Sequence, residues 1–570
     1  MRKGLWLGVV VASAILCAAW ATRAGAAAPV PAGPLIITGW VHDTQGQPVK
    51  GAHVVLEGRD GDPPLSEATS QPDGHFTLDV PVQVPDGLHL HVERAHFRPV
   101  DVPLEAAALD ELRHHHPVAL EDIALTRRID AAFGLATLVF ILVLVFIATG
   151  WFHNTLAALL GAVLVLGFSY LAHLVGESLF IFDFAQAMAY VDWNVVFLVM
   201  GMMIVIAVVE RTGIFQWLAY TAYRISGGRA WLLLPILMVV TGVASAFLDN
   251  VTTMLLMTPI TVQIALTLGI NPLSLLIPEL MASNVAGIST LVGTPTNILI
   301  GSYAGISFSA FLTNLTPGVL LSLLGLVLYA ELLYWRDLRQ AHAASPALLA
   351  RLAERARITE PEHLKKAGWV GAGMLLLFIF GERIHLLPAV TALIGATALL
   401  VWIRPDIEEM IEAVDWTTLV FFIALFIVVG AIQEVGLVSM VADLIGRLVG
   451  GSLVLSMLAV TWMSALLSTV VANIPFTAAM LPVVGHLMSI VPGAHSQVLF
   501  YCLSVGSAMG GNGSLIGASA NMVTAGIAER AGYPITYACF LKKGMPALLL
   551  TVALASVWLL VRFLVLGPGG

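Results

Sequence analysis

The chain has 570 residues, 58% hydrophobic and 11% charged, with a formal net charge of −9. A soluble domain carries about 25% charged residues, so this composition specifies a polytopic helical membrane protein and excludes a soluble globular one. Three cysteines (Cys17, Cys502, Cys539) exclude a disulfide scaffold, and the absence of a basic patch argues against nucleic acid as a partner.

Residues 1–26 read as a signal peptide. Arg2 and Lys3 precede the apolar stretch Leu5 to Trp20, and Ala24-Gly25-Ala26 supplies small residues for cleavage. The segment after residue 26 is then exported. Residues 34–125 are polar and rich in Gly, Pro and Asp. Leu35 to Val41, Ala52 to Leu56 and His75 to Val80 alternate as strands, separated by the turns Asp43 to Gly46 and Gln71 to Gly74. Short strands with such turns predict a small β-sandwich. The pattern Gly39-x-Val41, Gly46-x-Pro48, Gly51-Ala52, Asp73-Gly74-x-Phe76 resembles the regulatory β-sandwich appended to carboxypeptidases, which implies an accessory or binding role. His114-His115-His116 reads as a solvated loop, since no spaced Cys or acid completes a metal set.

From Ala131 the chain enters the membrane. The expected spans are 131–152, 156–175, 193–210, a hairpin at 231–268, a broken span at 274–303, and 317–335. After a cytoplasmic linker come 367–382, 386–403, 415–433, a hairpin at 452–490, a broken span at 496–527, and 545–564. These divide into scaffold helices (131–175), a first transport repeat (188–335), the linker (336–366), further scaffold helices (367–404) and a second repeat (411–565). Within the linker, Ser345 to Arg355 reads as an amphipathic surface helix.

The two repeats are visible as a constant offset. Ser245 and Asn250 recur 223 residues later as Ser468 and Asn473. Val191-Asp192-Trp193 recurs as Val414-Asp415-Trp416, Gly213 as Gly436, and Pro259 as Pro482. Leu291-Val-Gly-Thr-Pro-Thr-Asn297 matches Leu515-Ile-Gly-Ala-Ser-Ala-Asn521 at one residue more. Internal repeats in a membrane chain are the mark of secondary transporters, with the site at the repeat interface. Arg224 and Arg229, the linker's Arg and Lys residues, and Lys542 with Lys543 fall in three loops that the positive-inside rule places in the cytoplasm. The repeats are then inverted, and the N-terminal domain is exported.

The apolar run from Trp231 to Ile270 is too long for one crossing and holds a polar cluster at its centre: Asp249, Asn250, Thr252 and Thr253. An acid at that depth faces a cavity, so the run reads as a re-entrant hairpin with its tip at Asp249–Asn250. Asn473 and Thr477 hold the matching place in repeat two. The broken spans contribute Ser283, Asn284, Thr294 and Asn297 from one repeat and Asn512, Ser514, Ser519 and Asn521 from the other. Their Gly and Pro residues unwind the helix and free carbonyls and amide dipoles for an ion. Hydroxyls and carboxamides suit a hard cation, with sodium expected at Asn250, Asn297, Asn473 and Asn521. Asp249 has Ala472 as its counterpart and is the expected titrating group. Glu210 and Asp192 read as interfacial, and Glu279 as a second candidate acid.

These stretches resemble the ion-transporter superfamily, in the branch of arsenite permeases, NhaD-type sodium/proton antiporters and the melanosomal P protein. The residues that carry this are Ser245 to Pro259, Gly293 to Asn297 and Gly510 to Asn521. The resemblance spans nearly all of 131–565. It implies a citrate-transporter-like domain, an all-α fold with two inverted repeats, a dimer, and an elevator motion of the hairpins and broken spans. Relatives that carry dicarboxylates place Ser-Asn-Thr at the tips. Here the tips read Asp249-Asn250-Val251 and Ala472-Asn473-Ile474, which counts against carboxylates. The leading expectation is a plasma-membrane sodium/proton exchanger needing no cofactor, whose partner is a small inorganic ion. A transporter of arsenite, another anion or a carboxylate, of the same superfamily, is the alternative within transport. A receptor that senses through its β-domain is the alternative of another class. No nucleophile–base arrangement points to an enzyme, and no nucleotide-binding loop points to ATP-driven pumping.

Overall fold

The computed structural model describes residues 35–567 except 45, 59–63, 81–87, 115, 121, 341–353 and 355. The expected signal peptide and all but Glu354 of the expected linker helix lie outside the described residues. The chain forms two units, one up to Asp130 and one from Ala131 onward.

The first unit is a β-sandwich. Strands β1 (Leu35–Asp43), β4 (His75–Val80), β7 (Val118–Ala119) and β8 (Ile123–Leu125) make one sheet. Strands β3 (Ser66–Thr69), β2 (His53–Glu57), β5 (His89–Glu93) and β6 (Val100–Pro103) make the other, in that order. The alternation along β1 sends Leu35, Ile37 and Val41 inward, where they meet Phe76, Leu78, Leu56, Leu90 and Val92. Both expected turns form. Gly46 N donates to Asp43 O and Gly74 N to Gln71 O, each at 2.9 Å, with both glycines at positive φ. The short helix α1 (Ala106–Arg113) and strands β3 and β5 to β8 add to what the sequence pattern revealed.

The outer face of the second sheet carries histidines between acids. His53 lies 3.3 Å from Glu67, His89 lies 3.4 Å from Glu57, and His91 Nδ1 lies 2.6 Å from Asp101. The Asp101 bond is the main cause that raises the His91 pKa above 6.5, against a smaller opposing effect of burial. Folding therefore favours the protonated imidazole. That stabilisation is complete below the unfolded value and is lost as pH rises through the raised one. We expect amide exchange in β5 and β6 of the full-length protein, corrected for intrinsic rate, to be slower at about pH 5.5 than at about pH 8. Asp101→Asn should remove most of that difference.

In the second unit, ten helices among the described residues are long and apolar enough to cross a membrane. Helices α2 (Ala131–Thr149) and α3 (Asn154–Val175) come first, followed by the short α4 (Phe184–Ala189). The first half then runs α5 (Trp193–Arg211), α6 (Ile214–Ile225), α7 (Ala230–Phe247), α8 (Asn250–Thr267), α9 (Leu273–Ala286), α10 (Pro295–Ala304) and α11 (Phe308–Arg339). Two more helices, α12 (Pro361–Phe380) and α13 (Pro388–Ile403), and the short α14 (Ile407–Glu412) precede the second half. That half repeats the order: α15 (Trp416–Glu434), α16 (Leu437–Val449), α17 (Leu453–Leu467), α18 (Asn473–Ile490), α19 (Val498–Gly510), α20 (Ser519–Arg530) and α21 (Tyr537–Leu560).

The repeated sequence marks are structural devices. Asp192 and Asp415 cap the starts of α5 and α15, accepting bonds from Asn194 N and Thr418 N. Gly213 and Gly436 start α6 and α16 in the left-handed conformation, at φ 76° and 90°, which costs a residue with a Cβ about 1 kcal/mol. Helices α6 and α16 correct the sequence reading, which left 211–230 and 434–451 as loops. Their apolar residues Phe215, Ala219 and Ala222, and Val438, Ala442 and Ile445, are buried on one face. Lengths of 12 and 13 residues are too short for a span, so the hydropathy pattern that finds spans passes over them.

Candidate functional site

Helices α9 and α19 lie in the centre of the second unit, with every residue of Ser274–Ala286 and of Val498–Gly510 buried. Each ends in a break before the chain restarts as α10 or α20. A break at membrane depth frees backbone groups that need new partners, and the repeated residues supply them identically in both halves. Ser245 Oγ donates to Ser283 O at 3.0 Å, and Ser468 Oγ to Ser507 O at 2.7 Å. Thr290 Oγ1 donates to Ala246 O, and Ser514 Oγ to Thr469 O. The same two hydroxyls accept from Gly293 N and Gly517 N at 3.1 Å. Gly293 passes so close to the α7 end that a Cβ there would sit 2.8 Å from Ser245 O and 2.4 Å from Gly287 O.

Asn297 and Asn521 clamp the breaks. Asn297 Nδ2 donates to Ile288 O and Thr290 O, both at 2.8 Å. Asn521 Nδ2 donates to Gly511 O at 2.7 Å and Ser514 O at 2.8 Å. Both asparagines are wholly buried. Their carboxamide nitrogens are thus committed to backbone carbonyls. Thr294 caps α10 by accepting from Asn297 N; its counterpart Ala518 makes no side-chain cap.

Asn284 bonds three carboxamides across the two halves. Asn284 Oδ1 accepts from Asn250 Nδ2 at 2.9 Å. Asn284 Nδ2 donates to Asn512 Oδ1 at 2.9 Å and to Asn521 Oδ1 at 3.1 Å. Asn297 Oδ1 in turn accepts from Ser504 Oγ at 2.6 Å, and Asn512 Nδ2 donates to Met281 O at 3.3 Å. Asn473 enters through its backbone, donating N–H to Gly517 O at 3.1 Å. Among the described residues no hydrogen bond joins Asn250 to Asn473 directly. Ser283 Oγ bonds Ser245 Oγ at 2.9 Å, and Thr477 Oγ1 donates back to Asn473 O at 2.7 Å. Thr253 is buried, with its hydroxyl lacking a partner.

The tips border a cavity of about 450 Å³. Phe247, Asp249, Val251 and Thr252 reach it from one half, and Ala472, Ile474 and Pro475 from the other. Pro295 and Ser519, at the starts of α10 and α20, complete that wall. Asp249 caps α8: Oδ1 accepts from Thr252 N at 2.9 Å and Oδ2 from Thr252 Oγ1 at 2.6 Å. Glu210 and Asp415 also line the cavity, together with His153, and among the described residues no Lys or Arg does. The sequence pattern assigned Glu210 no role beyond the interface and Asp415 none beyond marking the repeat. Ser504 went unnoticed altogether, because its repeat position is Leu280 and nothing local marks it.

The sequence pattern of the citrate transporter family matches residues 144–506. This chain belongs to that family. Like other members it is a multi-pass membrane transporter, as the motif resemblance implied. Over 76% of its length this family member is similar to the 46 kDa membrane protein of Mycobacterium leprae, with 37% identity over 436 residues and 99% of that protein covered. It is 32% identical over 492 residues to the human P protein, covering 73% of this chain and 58% of the P protein. Its fold is similar to that of the YdaH transporter of Alcanivorax borkumensis (TM-score 0.51, 16% identity, 73% of this chain and 100% of that one). It is also similar to that of MtrF of Neisseria gonorrhoeae (TM-score 0.50, 13% identity, 77% and 96%). At such identities these two structures speak for the fold alone.

Proposed function

We propose that this transporter is a secondary active exchanger that moves a small cation, sodium by preference, against protons by alternating access. The observation that carries the reading is the charge of the cavity. Its ionisable acids are Glu210, Asp249 and Asp415, and among the described residues no Lys or Arg lines it. At an effective dielectric near 20, a unit charge about 5 Å from one carboxylate gains or loses about 3 kcal/mol. A bare polyanion is repelled by that amount several times over, and a cation is drawn in. Asp249 is the titrating group in this reading, since it alone of the three stands at a helix-pair tip beside the asparagine network.

A second reading has an observation of its own. Four helices, α8, α18, α10 and α20, begin at the cavity wall, and helix starts carry about half a positive charge each. That favours an anion. Asp249 already occupies one of those starts, which weakens this reading. Proteoliposomes separate the two. With sodium outside and a pH dye inside, the cation reading expects sodium-driven alkalinisation that survives removal of citrate and arsenite. Alkalinisation or uptake that requires either anion would favour the second reading instead. Deleting 34–125 tests the receptor alternative, since a transporter still moves its ion without the β-domain.

The same reading has inverted halves, with Arg224 and Arg229, Arg336 and Lys366, and Lys542 and Lys543 on the cytoplasmic side and the β-sandwich exported. All of these but Arg229 stand on helices α6, α11, α12 and α21, not in the loops the sequence pattern predicts, because each of those helices runs past its apolar stretch. The pairs α7–α8 and α17–α18 and the broken helices form the moving part of an elevator within each protomer of a homodimer.

A further inference from the structure

Glu279 lies in the middle of α9 and is wholly buried. It does not line the cavity. Thr241 Oγ1, on α7, donates to Glu279 Oε1 at 2.6 Å. The other carboxyl oxygen, Oε2, has no hydrogen-bond partner. The Thr261 side chain, on α8, is close enough to act on the same carboxyl, yet its hydroxyl completes no bond, nor does that of Thr258 one turn away. All three threonines are wholly buried.

A carboxylate enclosed in this way needs a proton or a compensating cation, because an unpaired buried charge costs many kcal/mol. No side chain supplies one. Helices α7 and α8 carry no titratable residue, and α9 carries only Glu279. The other packed helices bear Tyr329, Glu331, Tyr334, Arg336, Asp337 and Arg339 (α11), Tyr501 and Cys502 (α19), Glu529 and Arg530 (α20), and Tyr537, Cys539, Lys542 and Lys543 (α21). Among the described residues none of these forms a hydrogen bond or ion pair with the carboxyl, and the Thr241 hydroxyl alone bonds it. What neutralises the group, a proton or a metal cation, therefore comes from solution. A carboxylate with neutral hydroxyl oxygens is a donor set for a hard cation. In the second half, Ser464 stands where Thr241 does and Leu503 where Glu279 does, so the set occurs once.

The geometry points to a second cation site at Glu279, inside the first half and apart from the cavity, where a sodium-sized monovalent ion bound by Glu279, Thr241 and Thr261 replaces one proton. The exchange leaves the charge unchanged: one cation enters and one proton leaves to solvent. The choice of sodium rests on the cation reading of the cavity, but the test does not depend on transport.

The experiment uses purified full-length protein in weakly buffered detergent, carrying Asp249→Asn so that the cavity's own candidate contributes nothing. Sodium chloride is added against choline chloride, and released protons are read with a soluble dye. The background variant should release protons with sodium, and adding Glu279→Gln should cut that release about tenfold or more. Undiminished release after Glu279→Gln, or no release from the background with lithium, sodium or potassium, overturns the proposal. Should Glu279→Gln fail to fold, Thr261→Val keeps the carboxyl and the packing volume. That variant should raise the half-saturating sodium concentration about tenfold, and an unchanged value overturns the site. A failed transport assay with intact proton release would sink the cavity reading and leave this one standing.

Discussion

Asp249→Asn is expected to abolish proton-coupled exchange in proteoliposomes while the protein stays folded. The two halves of that result have separate causes. Asp249 is the N-cap of α8, and its oxygens accept from Thr252 N and Thr252 Oγ1. Asparagine is as good an N-cap as aspartate, and its Oδ1 can keep the bond to Thr252 N. What the substitution removes is the charge and the proton. A sodium gradient should then drive no dye response above that of empty vesicles at any pH between about 6 and 9. Thr252→Val is the companion variant. It deletes one hydroxyl bond to Oδ2 but keeps the acid, so exchange should persist with a shifted pH profile. If Asp249→Asn vesicles respond as wild type does, the acid that titrates is another one, and Glu210 and Asp415 are next on the same wall.

Asn284→Ala should produce the largest loss of stability of any single carboxamide in the site. The side chain serves three partners at once: Asn250 Nδ2, Asn512 Oδ1 and Asn521 Oδ1. Asn284, Asn512 and Asn521 are wholly buried and Asn250 nearly so. An unsatisfied buried polar group costs about 1–3 kcal/mol, so three orphans give a loss of about 3 kcal/mol or more even after relaxation. The measurement is thermal unfolding in one detergent, with Asn297→Ala alongside. Asn297 releases two carbonyls and one serine hydroxyl, yet all but Ser504 belong to its own half. Asn284→Ala should therefore weaken the junction between the halves, with a lower, broader transition, whereas Asn297→Ala lowers it without broadening. A double-mutant cycle between Asn250→Ala and Asn284→Ala should show non-additivity of about 1 kcal/mol, as residues in direct contact do. Additive losses would mean that the Asn250–Asn284 bond contributes nothing.

Composition and period made most of the membrane unit legible. Apolar runs interrupted by Asp249–Asn250 and by Gly293-Thr-Pro marked the breaks, because Asp249 and Thr294 are good N-caps for a restarting helix and Pro295 stands in the first turn of α10, where its missing N–H costs nothing. The 223-residue offset named the paired residues, and the paired bonds of Ser245 with Ser468 and of Thr290 with Ser514 follow it. The clamps were half visible. Asn297 and Asn521 stood out as matched polar residues, but their spacing does not say whether a carboxamide turns to an ion or to a carbonyl of its own break. Helices α6 and α16 escaped because a short amphipathic helix has neither the length nor the uniform hydropathy of a span.

The sequence by itself determined the membrane class, the β-sandwich pattern, the duplication and the positions of the breaks. Each of these depends on local chemistry: hydropathy, strand alternation, turn residues and missing helix donors. Only the tertiary structure decided that Asn284, with no counterpart in the second half, bridges the two breaks, and that Glu210 and Asp415 share a wall with Asp249. It also decided that Glu279 is sealed away from that wall. Those facts join residues tens to hundreds of positions apart, and no local spacing records which of two buried faces a helix turns toward its neighbour.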